Sequence, residues 1–315
     1  MAKYRAHLPQ LDGGLFLTDG GLETTLYFRD GIEIPCFAAF DLLKDEAGTQ
    51  RLRDYFGLYA GIARSNGVGF VLETVTWRAN ADWGRKIGYS SDALVAANHD
   101  AVALLTDIRD VYETEQSPMP ISGCIGPRGD GYTPGEMMSE AEAEDYHRTQ
   151  IQILGDTEAD FVSALTLSNT REAIGIARAA QGVGIPAVIS FTVETDGRLP
   201  TGQSLKDAIA EVDAATNEGP AYYMINCAHP IHYEPALAAG EDWIKRLRGL
   251  RSNASKLSHA ELDEAEVLDE GDPVDLGQRH AALKRRFGHI NVLGGCCGTD
   301  HRHVEQICGA CCATA

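Results

Sequence analysis

Short apolar runs followed by longer amphipathic stretches alternate along the whole chain, and the alternation occurs eight times. The runs that read as strands are 15–18, 69–77, 119–123, 161–167, 186–193, 221–227, 247–252 and 290–293. Helical periodicity fills the intervals, clearest at 92–112, 140–154, 170–181, 204–216 and 275–287. Ser139 and Glu142 carry the capping-box spacing at the head of one helix, and Asn169 and Thr170 offer an N-cap to the next. Parallel strands need crossover helices, and eight such units with no break in composition predict one α/β domain, a (β/α)8 barrel over residues 1–315, with no second domain. An open doubly wound sheet is the structural alternative.

A barrel carries its chemistry at the C-terminal ends of its strands. Two loops stand out there. Segment 130–135 is a turn-rich Asp-Gly-Tyr-Thr-Pro-Gly run that should lie over the barrel mouth after the third strand. Segment 253–273, the longest connection, carries Glu261, Asp263, Glu264, Glu266, Asp269 and Glu270 and reads first as a solvated charged face, with a lid as the second reading.

Composition narrows the partners. The net charge is −19, so the chain should repel nucleic acid and anionic lipid and act on small molecules. No apolar run approaches the roughly 18 residues that span a bilayer, and the first residues show no secretory pattern, which predicts a cytoplasmic protein with no membrane partner. Eight cysteines are too few for a disulfide framework at this length.

Three of those cysteines share the catalytic rim. Asn226-Cys227 closes the sixth strand, and Gly294-Gly295-Cys296-Cys297-Gly298-Thr299 closes the eighth. Adjacent cysteines can serve one ion only where the backbone turns sharply, and the glycines permit that. Three thiolates would hold one zinc and leave a fourth tetrahedral position open for a substrate thiol, whose pKa the metal would lower. A redox disulfide between the neighbours, or a closed structural zinc using Cys296, Cys297, Cys308 and Cys311 or Cys312, fits the spacing too. His229, His301 and His303 are candidate extra ligands; Cys36 and Cys124 read as packing residues.

With these motifs placed, the chain resembles the homocysteine S-methyltransferase family. The resemblance runs from about Thr18 to Thr299. It is carried by Asp19-Gly20-Gly21, Thr74, Gly126-Pro127, Asn226-Cys227 and Gly-Gly-Cys-Cys-Gly. It implies one zinc per chain on Cys227, Cys296 and Cys297, and methyl transfer from a small onium donor to a thiol, homocysteine by default, giving methionine. It implies Asp19 at the substrate ammonium and Thr74 helping to hold the amino acid, with Gly20, Gly21, Thr166 and Asn226 lining the site.

One position departs from the family. Its glutamate at the end of the fourth strand is matched here by Leu165, in the step Leu165-Thr166. Leucine can neither accept a hydrogen bond nor balance an ammonium. Either Glu73 or Glu194 compensates, or the acceptor is a different thiol or selenol. A zinc hydrolase and a non-catalytic thiol-binding barrel are the rivals; the first lacks the histidines and carboxylates such sites use.

Overall fold

The computed structural model describes residues 2–132, 135–237 and 241–313. Its strands are β1 (Phe16–Leu17), β2 in two pieces (Gly69–Phe70 and Leu72–Glu73), β3 (Ile121–Ile125), β4 (Phe161–Leu167), β5 (Ala187–Phe191), β6 (Tyr222–Asn226), β7 (Leu247–Ser252) and β8 (Val292–Gly295). Every ladder is parallel, and the order runs from one piece of β2 through β1, β8, β7, β6, β5, β4 and β3 to the other piece. Backbone N–H groups of Gly69 and Val71 donate to β1 and its approach, while those of Phe70 and Leu72 donate to Pro118 and Pro120 before β3. That alternation closes the ring, so the expected eight-stranded (β/α)8 barrel is what forms.

Seven long helices pack outside: α1 (Glu46–Asn66), α2 (Ser91–Tyr112), α3 (Glu140–Gly155), α4 (Thr170–Val183), α5 (Leu205–Thr216), α6 (Pro273–Arg286) and α7 (His301–Cys312). The Ser139/Glu142 capping box and the Asn169 cap both form. Among the described residues between β6 and β7 the helical turns are short, Pro230–Tyr233 among them.

Strand alternation builds the lumen in layers. Phe16, Val71, Phe161, Val188, Met224 and Val292 form a dry lower layer, closed from below by Leu8. Two residues further along the strands the same face carries Glu73, Ser163, Ser190, Asn226, Arg251 and Gly294. A polar layer therefore separates the packed core from the rim where the cysteines sit.

Candidate active site and metal centre

Cys227 follows β6 and Cys296-Cys297 follow β8, and the three sulfurs lie within 4.8 Å of one another. Cys227 Sγ is 2.7 Å from Cys296 Sγ and 3.6 Å from Cys297 Sγ. The turn that gathers them is held by Thr299, whose N–H and Oγ1 both donate to the Cys296 carbonyl. Of the glycines, only Gly298 needs positive φ (79°). Gly294 and Gly295 serve close approach instead: an added Cβ would stand 2.0 Å from Thr18 Oγ1 and 1.9 Å from Thr299 Oγ1.

Cys227 itself has φ 55°, a left-handed conformation that L side chains avoid. Its carbonyl accepts from Asn253 Nδ2 at 3.0 Å and lies 2.6 Å from His259 Nε2. Its thiol is held well below the usual thiol range by hydrogen bonds from Cys296 and Cys297, with Tyr132 adding a third. Hydrogen bonding to Cys227, with burial and the charge on Cys227 adding, pushes Cys296 up to about 12 and Cys297 well above its ordinary value.

The donor set fits zinc. Tetrahedral bonds of about 2.3 Å place two sulfurs roughly 3.8 Å apart. The Cys227–Cys297 pair at 3.6 Å meets this, and the Cys227–Cys296 pair at 2.7 Å has to open. Among the described residues these three are the one such group of metal-ligating side chains. His229 is not with them: it caps the turn Pro230–Tyr233 through Nδ1. His303 binds Asp300 and the Glu270 carbonyl, and His301 opens α7. Cys308 and Cys311 are buried where α7 packs on the barrel, away from the rim cluster.

The cluster opens into a cavity of about 600 Å³. Asp19, Gly20, Gly21, Glu73, Thr74, Thr166 and Asn226 all line it, as does Leu165. Cys36 and Cys124, expected to be packing residues, line it as well. Thr74 Oγ1 accepts from the Cys124 N–H at 2.8 Å and meets Thr76 Oγ1 at 2.6 Å, so its hydroxyl ties β2 to β3. Asn226 exchanges hydrogen bonds with Thr166, N–H to Oδ1 and Nδ2 to Oγ1, both 2.8 Å, and accepts from Ser190 at 2.6 Å. Thr166 has φ 64° within a register shift between Ala164 and Leu167, so Asn226 braces a bulge at the step that bears Leu165.

Glu194 does not line the cavity. Its carboxylate lies 3.2 Å from His259 Nδ1, on the far side of that ring, which corrects its expected place beside the substrate.

The sequence reading did not single out Tyr132, Arg251 and Arg78, which shape the site. Tyr132 reaches from the loop after β3, its hydroxyl donating to Cys227 Sγ at 3.3 Å and lying 3.7 Å from Cys297 Sγ. Its ring lies 4.4 Å from that of His259. The loop was expected over the mouth, though Thr133 and Pro134 of it lie outside the described residues. Arg251, the second arginine of β7, donates to Asp19 Oδ1 at 2.6 Å, to Glu73 Oε2 at 3.3 Å and to the Gly295 carbonyl at 3.2 Å. Arg78 lies between Trp77 and Trp83, 4.0 and 3.8 Å from the ring centroids, with its Nε unpartnered.

Segment 253–273 is more than a charged face. His259, Leu262, Ala265, Val267 and Leu268 line the cavity, so it roofs the site. Tyr27, Phe28 and Phe37 form an aromatic edge on the same cavity, each at least 40 % exposed.

A parallel eight-fold barrel with three thiols grouped at its C-terminal rim, beside a half-enclosed cavity, defines a class of barrel enzymes built around sulfur chemistry. The sequence model of homocysteine S-methyltransferase matches residues 16–311, and the chain belongs to that family. It is a methyltransferase of the kind that methylates thiols. Homocysteine S-methyltransferase 1 of Brassica oleracea var. italica is 26 % identical over 94 % of this chain and 93 % of its own. Selenocysteine Se-methyltransferase of the same plant is 25 % identical over 94 % and 88 %. Homocysteine S-methyltransferase 3 of Arabidopsis thaliana matches at 24 % over 55 % of this chain and 49 % of its own. The metallated form of the homocysteine methyltransferase MmuM from Escherichia coli shares the fold, with TM-score 0.72 and 19 % identity over 94 % and 96 % of the two chains.

Proposed function

We propose that the chain is a zinc-dependent S-methyltransferase that moves a methyl group from a small onium donor to an amino-acid thiol, homocysteine by default. The observation that carries this reading is the gathering of Cys227, Cys296 and Cys297 beside a cavity of about 600 Å³. These three thiolates would hold one zinc per chain. Zinc so bound supplies Lewis acidity that lowers the pKa of an acceptor thiol toward neutrality.

The rest is done by the chain. Tyr132 donates a hydrogen bond to Cys227 Sγ and so stabilises thiolate charge there. His259 and Asn253 fix the Cys227 carbonyl and hold the strained backbone that aims the thiol. The aromatic edge of Tyr27, Phe28 and Phe37 suits an onium cation, whose charge the ring faces attract. Arg78 offers an unpartnered N–H to a substrate carboxylate. Roof and rings exclude water and hold donor and acceptor in line. The acceptor thiolate then forms the S–CH3 bond as the onium centre leaves as a neutral sulfide or amine, taking the electron pair of the broken bond.

Anaerobically purified protein should contain about one zinc per chain and methylate homocysteine when given an onium donor such as S-methylmethionine. Metal-free protein under those conditions would sink the reading. A related acceptor remains in view, because Leu165 leaves the fourth strand without an acid and one relative is named for selenocysteine methylation.

A further inference from the structure

Three carboxylates stand near the cavity floor, and they are not equally free. Asp19 is committed: Arg251 donates to one oxygen at 2.6 Å and Tyr55 to the other at 3.1 Å. Glu73 is 6 % exposed and half committed: Oε2 accepts from Arg251, while Oε1 is buried with no well-formed hydrogen bond, the Ser122 and Ser163 hydroxyls standing near the carboxylate. Glu23 follows the Gly20-Gly21 turn, is half-buried, lines the cavity, and receives no hydrogen bond or ion pair from another described residue. Burial pushes both Glu23 and Glu73 up to about 7, the mark of anions that lack a sufficient cation.

We propose that Glu23 and Glu73 together form the receptor for the primary ammonium group of the acceptor, an α-amino thiol or selenol, in place of the acid absent at Leu165. The inference rests on the thiol-methyltransferase reading and specifies its acceptor. A buried carboxylate oxygen without a partner calls for a hydrogen-bond donor. A primary ammonium has three N–H groups, whereas a quaternary ammonium or trialkylsulfonium donor has none, so the onium substrate does not satisfy this pair. Nor does a carboxylate: Arg251 directs its Nε, Nη1 and Nη2 to Gly295, Glu73 and Asp19, and two further acids around it would repel an anion. Both acids line the same cavity as Cys227, Cys296 and Cys297.

The test uses two probes without a free thiol, so that neither depends on the metal: L-methionine and its desamino analogue 4-(methylthio)butyrate. Each is titrated by calorimetry into the wild-type chain and into Glu23→Gln, Glu23→Asp and Glu73→Gln. The wild type is expected to bind methionine roughly 10- to 100-fold tighter than the analogue. Glu23→Gln and Glu73→Gln should each shrink that preference about tenfold with the analogue unchanged, and Glu23→Asp should restore part of it. Equal binding of the two probes by the wild type, no binding of methionine, or equal weakening of both probes in the variants would overturn the proposal. Methylation of homocysteine is assayed in parallel: methylation without an ammonium preference removes the receptor alone, and no methylation of any thiol removes the broader reading.

Discussion

At Cys227 a reactive side chain is bought with backbone strain. Its φ of 55° costs an L residue on the order of 1–2 kcal/mol, and His259, Asn253 and the β6–β7 ladder hold it there. Cys227→Gly should therefore fold at least as stably as the wild type while zinc content, read by atomic absorption, falls to a small fraction; Cys297→Ala should lose metal without the gain in stability. Arg251 is the opposite case, a buried cation on which two carboxylates depend. Arg251→Met leaves Asp19 and Glu73 buried without it and should cost about 3–5 kcal/mol in urea unfolding. The cysteines were legible because three thiols at two strand ends form a chemical pattern in the chain itself. Tyr132 and Arg251 were not, because each takes its meaning from a partner far away in sequence, and Glu23 was not, because only the fold sets it in the cavity with no partner among the described residues.

The strands were legible as elements from the short runs that break the helical periodicity. β4 and β7 begin and end where the pattern put them, while β1 shrinks to Phe16–Leu17 because its ends turn into the N-terminal plug and the Asp19 loop. The bulge at Leu165-Thr166 left no such trace, since a positive φ at threonine is imposed by Asn226 on a neighbouring region of the barrel. The roof over the site was harder still. Segment 253–273 looks charged because its outer face is charged, yet Leu262 and Leu268 point the other way, into the cavity. Leu262→Ser with Leu268→Ser should raise the KM for a methyl donor several-fold with zinc content unchanged, from the loss of apolar contact. An unchanged KM would show that these side chains do not meet the substrate.

Over the whole molecule, buried titrating groups pull stability in opposite directions with pH. Burial drives His280 down to about 4 and His229 to about 3, from an ordinary 6.5. The unfolded chain then binds protons that the folded chain refuses, so these histidines lower stability as pH falls from about 6.5 toward 4. Glu23 and Glu73, raised to about 7 from 4.5, do the reverse: the folded chain keeps their protons, and stability rises as pH falls from about 7 to 4.5. Glu23→Gln should therefore steepen the loss of stability between pH 6.5 and 5, and His280→Gln should flatten it, as read from urea midpoints. The closed ring and the continuous outer core also favour one folding unit, so calorimetry is expected to give a single transition whose midpoint rises with added zinc. Two separable transitions would contradict the single-domain reading.

What the sequence by itself determined is whatever is periodic or locally dense: the eight β/α units, their caps, and the Asn-Cys and Gly-Gly-Cys-Cys-Gly steps that mark the rim. Periodicity follows from backbone geometry, and metal-ligand chemistry from residue type, so both can be read along one dimension. Tertiary structure alone decided which charges meet. Arg251 reaches back to Asp19 across most of the chain, Glu23 is left without a partner among the described residues, and Glu194 turns to His259 instead of the cavity. Burial and pairing set the energy of a charge, and both exist only once the ring has closed.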